Sequence, residues 1–213
     1  FRIGNKPIGC QSCWQEEDAG KTSKRMNSLY KMKNSLQDWT PYSEETSLKF
    51  IDFKLGNVCN LKCRICGSWS SSKWAQEELD YGENPVAKKH LTEGGWPKKH
   101  PQFFEDIKEV LEDVEYFEFT GGEPFLIKQH FDLLQRAVDR GLAKDIDIHY
   151  NTNATRFPKQ HKLWQHFKQV QIAFSIDNTG ERFEYERSGA KWRTVNTNID
   201  KINNLREQYP ITT

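Results

Sequence analysis

From Ser47 onward the chain repeats one pattern: an apolar, β-branched or aromatic run, then a polar loop, then a helical stretch. The runs are "LKFIDFKL" (48–55), "VEYFEFT" (114–120), "DIDIHYN" (145–151) and "KQVQIAFSID" (168–177), and "PITT" (210–213) opens a fifth. Runs of this composition read as strands. Helices are expected over 70–81, capped by serines, over 101–113, 127–141 and 193–209, and more briefly over 161–167. The Gly-, Pro- and charge-rich stretch 82–100 reads as a loop or insertion, and 178–192 as a loop with some helix. Alternation of this kind implies parallel strands joined by right-handed crossovers, as a doubly wound sheet or a β/α barrel. No internal repeat is visible.

The first 46 residues differ. They are polar and turn-rich, with short helices expected over 14–36 and too few apolar positions for a core of their own. They read as an N-terminal module leaning on the rest of the chain. The chain opens on Phe1 rather than Met and closes just as a strand begins, so it is expected to be a piece of a longer protein. Charged residues make up 29% of the chain, yet the net charge is only +1, which argues against a partner held by bulk charge such as a nucleic acid. No apolar run has the length of a membrane span and no signal-peptide pattern opens the chain, so a cytoplasmic protein is expected.

The unusual residues fall where the strands end. "NVCNLKCRICGSW" (57–69) follows the first strand, "GGEP" (121–124) the second, "NTN" (151–153) the third, and "SID" (175–177) ends the fourth. In parallel β/α architectures ligand-binding residues gather at the carboxyl ends of strands, so these four segments are expected to share one mouth. Cys59, Cys63 and Cys66 put three thiols into eight positions. Thiolates at such short spacing hold iron–sulfur clusters, normally four of them, so three leave one iron open. The alternative is zinc with a fourth ligand such as His90 or His149. In "GGEP" the glycines permit close backbone approach, Glu123 supplies a carboxylate suited to an ammonium, and Pro124 stiffens the turn. The plainer alternative is a βα turn whose glutamate caps a helix.

Taken together, "CNLKCRIC" and "FTGGEPFL" resemble the radical S-adenosylmethionine (radical SAM) enzyme superfamily over about residues 48–213. The resemblance implies a partial β/α barrel and a four-iron four-sulfur cluster on Cys59, Cys63 and Cys66. It implies S-adenosylmethionine chelating the open iron, its amino group held by Gly121, Gly122 and Glu123 beside Pro124. Asn151 or Asn153, Ser175 and Asp177 match positions that contact the ribose and methionine, and Arg187 resembles an arginine that pairs with the methionine carboxylate. A surface arginine is the other reading of Arg187. The implied activity is radical-based hydrogen abstraction from a peptide or small-molecule substrate, fed by a reductase, ferredoxin or flavodoxin. An iron–sulfur electron-transfer or sensor protein and a zinc-stabilised binding module are the competing classes.

The chain departs from that pattern at Ile65, where an aromatic residue is frequent, and at Asn178, where glycine is. Only four strands are complete, whereas the partial barrel has six. "CQSCWQEEDAG" (10–20) with Ser23 and Arg25 resembles the end of a twitch module, which carries an auxiliary cluster. That resemblance makes Cys10 and Cys13 two ligands of a second iron–sulfur cluster, with zinc or unligated thiols as alternatives. The expected domains are a partial twitch-like module and linker at 1–46 and a barrel at 47–213, truncated after four strands. The basic stretch "KKHLTEGGWPKKH" (88–100) could meet an acidic partner or lie solvated, and His149 and Tyr150 could face a substrate or pack inside.

Overall fold

The computed structural model describes residues 6–32, 47–108 and 110–213. The expected domain boundary at 46/47 has one side outside the described residues, as does most of the expected linker.

Among the described residues five strands form one parallel sheet: β1 (Phe50–Lys54), β3 (Tyr116–Thr120), β4 (Asp147–Thr152), β5 (Gln169–Phe174) and β7 (Ile211–Thr212), in that spatial order. Each strand is added beside the previous one with no reversal. That is the winding of a β/α barrel, whereas a doubly wound sheet turns back at a switch point. The fold is therefore a partial barrel of the α/β class. It includes the fifth strand, which pairs Ile211 with Val170 and Thr212 with Gln171.

The register separates the two faces of the sheet, because side chains alternate along a strand. One row runs Phe53, Phe119, Tyr150, Ile172 and the next Ile51, Phe117, Ile148, Val170, Ile211. These rows form the core with Phe131, Leu133, Leu134 and Ala137 of helix α7 (Lys128–Asp139). The opposite face carries a polar row in register: Asp52, Glu118, His149, Gln171 and Thr212.

The N-terminal module lies on that polar face. Helices α1 (Gln11–Asp18) and α2 (Lys24–Lys31) are joined through Glu17, which accepts from Ser23 and Arg25. Lys24 Nζ donates to both Glu118 carboxylate oxygens at 2.9 Å, and Lys31 Nζ donates to the Tyr116 hydroxyl at 3.0 Å.

Three local expectations are corrected. Residues 82–100 are not a loop: they hold α4 (Pro85–Glu93) and α5 (Trp96–Lys99) after α3 (Ser72–Asp80). Pro85 stands at the first helical position, where its missing N–H is no loss, and Asn84 Oδ1 accepts from Val86 N and Ala87 N. Trp96 is half-buried against Phe103 and donates to Lys54 O, so the basic stretch does not display it. The helix expected over 101–113 is a short α6 (Gln102–Asp106) followed by a 3-10 turn at Val110–Glu112. Phe104, Ile107 and Leu111 all reach the core, so two short turns satisfy the apolar period that one helix was expected to fill. Residues 161–166 likewise form 3-10 turns.

Helices α8 (Gly180–Glu186) and α9 (Trp192–Asn204) follow β5. Between them lies a feature with no periodic signal in the sequence: Arg187–Ser188 (β6) pairs antiparallel with Lys62–Cys63 (β2), setting Arg187 opposite Cys63. No described helix is long and apolar enough to cross a membrane.

Candidate functional site

The cysteine loop is fastened to α3 by the serines that start that helix. Ser71 caps it by accepting from Lys73 N and Trp74 N while donating to Leu61 O. Ser72 Oγ donates to Cys59 O and accepts from Cys59 N, and Trp74 Nε1 donates to Cys63 O at 2.9 Å. Cys63 is buried, and Cys59 and Cys66 pack against the same small apolar cluster of Leu61, Cys63, Ala154, Phe183, Ala190 and Val195.

The Gly-Gly-Glu-Pro turn is stitched to the start of that loop. Glu123 N donates to Val58 O at 2.8 Å. Gly122 sits at φ +60°, and a Cβ there would fall 2.6 Å from Val58 O, so only glycine permits the approach. Glu123 itself is turned inward and is 1% exposed. Its Oε1 accepts from Thr152 Oγ1 at 2.6 Å and Phe125 N at 3.2 Å, and its Oε2 accepts from Asn153 N at 2.7 Å. Burial pushes its carboxyl above the ordinary range, against the pull of these bonds, Thr152 first. The bond to Phe125 N is the capping role of the plainer reading, made on a 3-10 turn at Pro124–Leu126. A carboxylate this enclosed organises the turn, while the neighbouring Gly121 and Gly122 are half-buried.

Asn153 Nδ2 lies 3.8 Å from Cys59 Sγ and 3.3 Å from Asn60 Oδ1. Arg187 is 7% exposed, which excludes the surface-arginine reading. Its Nη1 lies 3.6 Å from Cys63 Sγ, its Nη2 pairs with Asp177 Oδ2 at 2.8 Å, and its buried Nε has no hydrogen-bond partner among the described residues. Ser175 joins through its backbone N–H to Thr152 O at 2.8 Å. Asn151 is exposed, one register position from Thr152 on the opposite face, and Asn178 bonds Glu186. Cys10 and Cys13 lie on the first turns of the N-terminal module, half-buried and not disulfide-bonded.

Sequence reasoning passed over Thr152, although it stands inside "NTN". Strand alternation was the available signal: Tyr150 and Thr152 share the buried face, and Asn151 does not. His130 was also missed. It is fully buried, donates Nδ1–H to Pro124 O at 3.1 Å, and accepts at Nε2 from the Tyr150 hydroxyl at 2.6 Å. Trp164 Nε1 donates to that hydroxyl at 3.4 Å, completing a buried polar chain behind the Gly-Gly-Glu-Pro turn. Tyr150 is thereby assigned to the core, and His149, bonded to Gln171, to the open face.

Burial holds the His130 imidazole down at about 3, from 6.5, so the folded protein keeps it neutral. The unfolded chain binds that proton first, so the stability His130 contributes is complete above pH 6.5 and is lost as pH falls toward 3. Its share of the slope reaches about 1.4 kcal/mol per pH unit. In chemical denaturation between pH 7 and 4, His130→Asn, which keeps a donor toward Pro124 O, is expected to lose that extra slope. Parallel pH profiles would refute the assignment.

The residues fit a cluster better than a single ion. All three cysteines are free of disulfides. Burial raises the Cys59 thiol, and pushes Cys63 up to about 11 against the pull of Arg187, so their thiolates need bound positive charge. Among the described residues no three His, Cys, Asp or Glu converge on one metal ion, and His90 is instead bonded to Ser68. A tetrahedral zinc with Zn–S bonds of 2.3 Å demands sulfurs about 3.8 Å apart. A cluster that gives each thiolate its own iron makes no such demand.

The family model described as the Radical SAM superfamily matches residues 53–213. No curated protein matches significantly. Among solved structures, one described as hexahistidine-tagged anSMEcpe with bound AdoMet is 17% identical with a TM-score of 0.50, covering 78% of this chain and 42% of that one. A structure described as native anSMEcpe with bound AdoMet and Cp18Cys peptide is 19% identical with a TM-score of 0.48, covering 78% and 42%. Streptococcus suis SuiB bound to precursor peptide SuiA is 14% identical with a TM-score of 0.48, covering 96% and 45%. The chain thus spans less than half the length of these structures.

Proposed function

Since this chain belongs to the radical SAM superfamily, we propose that Cys59, Cys63 and Cys66 hold a four-iron four-sulfur cluster whose fourth iron takes S-adenosylmethionine. Held there, the cluster and S-adenosylmethionine would supply radical chemistry, the abstraction of a substrate hydrogen with release of methionine and 5′-deoxyadenosine. The chain's own groups bind, orient and exclude water. The Gly121–Gly122 backbone meets the amino group over the fixed Glu123. Arg187 stands by for the carboxylate, while Asn151, Ser175 and Asp177 line the side expected to meet the ribose.

The observation that carries this reading is the direct joining of the cysteine loop to the Gly-Gly-Glu-Pro turn, through Glu123 N to Val58 O and the close approach of Gly122. It gives Glu123 a role that a plain electron-transfer protein would not need. Beside Glu118, which Lys24 covers, Asp52, His149 and Gln171 of the polar row support a polar substrate, a peptide or a small molecule. The electron comes from a reductase, ferredoxin or flavodoxin. Cys10 and Cys13, two free thiols three positions apart, support a second iron–sulfur site in a twitch-like N-terminal module.

The test is anaerobic reconstitution with iron and sulfide, reduction with dithionite, and addition of S-adenosylmethionine. 5′-Deoxyadenosine is the expected product, and iron content above four per chain counts the second site. An intact, reduced cluster that yields no nucleoside would leave electron transfer or sensing as the function.

A further inference from the structure

Two of the three cluster sulfurs receive a side-chain N–H, from residues on different elements. Asn153 Nδ2 approaches Cys59 Sγ at 3.8 Å from the end of β4, and Arg187 Nη1 approaches Cys63 Sγ at 3.6 Å from β6. Both donors are held from behind. Asn153 Oδ1 accepts from Thr155 N at 2.9 Å and Thr155 Oγ1 at 2.6 Å, and its other Nδ2 bond goes to Asn60 Oδ1. Its amide is thus occupied at both ends by the protein, and its backbone N–H is given to Glu123. That leaves it little to offer a ribose. Arg187 is fixed by its Asp177 pair and by the β2–β6 pairing, which sets it opposite Cys63.

We infer that Asn153 and Arg187 are positioning residues that raise the reduction potential of the cluster by donating hydrogen bonds to Cys59 and Cys63. The inference rests on the proposed cluster assignment. Adding an electron puts more negative charge on the thiolate sulfurs. A donor N–H, and more so a guanidinium, therefore binds the reduced cluster more strongly than the oxidised one. Residues that contact metal ligands tune the metal in this way. Asn153 also ties Cys59 to Glu123 and so joins the cluster loop to the ligand-binding turn.

The experiment is a redox titration of the reconstituted full chain without S-adenosylmethionine, following the reduced-cluster signal by electron paramagnetic resonance. Asn153→Asp keeps the acceptor for Thr155 and removes the donor to Cys59. It is expected to shift the reduction equilibrium about tenfold toward the oxidised cluster, 59 mV for a one-electron couple. Arg187→Gln, acting on the other sulfur, is expected to shift it at least as far, and it carries the test alone if the Asn153 variant holds no cluster. Thr155→Ala disturbs the same network but leaves the N–H to sulfur contact, and its potential is expected to stay at the wild-type value. A cluster with unchanged potential in the Asn153 and Arg187 variants overturns this inference alone. So does a Thr155→Ala shift as large as theirs, whereas a wild-type chain that takes up no cluster overturns the proposed function as well.

Discussion

A Cys63→Ala protein, reconstituted and reduced like the wild type, is expected to release no measurable 5′-deoxyadenosine from S-adenosylmethionine. The loss should exceed the roughly 100-fold that removing an outer-shell partner costs, because a cluster ligand itself is gone. The fold should survive. Cys63 occupies one position of a two-residue strand, and its replacement by alanine removes a small apolar contact and the sulfur facing Arg187 Nη1, while Arg187 keeps its Asp177 pair. Trp74 bonds the Cys63 carbonyl rather than its sulfur, so the loop keeps that tie to α3. The check pairs nucleoside release with circular dichroism. Product formed at the wild-type rate by a folded variant would remove Cys63 from the site.

Glu123→Ala is expected to act first on stability and only then on binding. The carboxylate is nearly inaccessible, and its removal leaves Thr152 Oγ1, Asn153 N and Phe125 N without their acceptors. Bonds to charged groups contribute about 1.5–3 kcal/mol each, but enclosing the carboxylate is itself costly, so a net loss of about 3 kcal/mol is expected. For a chain of this size that corresponds to a fall in Tm of about 6–12 °C. The turn that loses Glu123 also frees Gly121 and Gly122, so S-adenosylmethionine binding should weaken in the same variant. A calorimetric scan and a binding titration together test this. An unchanged Tm with weakened binding would mean that Glu123 contacts the ligand directly.

The contrast between those two residues shows what was readable in one dimension. Cys63 could be assigned from spacing, because three thiols in eight positions have few uses and the chemistry resides in the side chain itself. Glu123 was legible as important, but its manner of action was not. Whether a carboxylate faces a ligand or three backbone and hydroxyl donors depends on neighbours that lie 29 and 30 residues away in sequence. Arg187 and Cys63 illustrate the same limit at 124 residues. A two-residue antiparallel pairing joins them, too short to leave any periodic trace. The helices at 85–93 and 96–99 were hidden for a different reason: Pro85 and Pro97 read as breakers in isolation but stand in the first turn of a helix, the first of which Asn84 caps.

The sequence by itself determined the class of this protein. Alternating strands and helices require a parallel sheet, and small or polar residues at four strand ends require a common mouth, because both follow from local periodicity and chain direction. Only the tertiary structure decided which side of the mouth each residue serves. It wound the strands in one direction, put Thr152 rather than Asn151 beneath Glu123, and buried Tyr150 with His130 behind the turn. It also brought Asn153 and Arg187 to the cysteine sulfurs. Those outcomes depend on long-range packing and on where buried polar groups find partners, and no window of neighbouring residues contains that information.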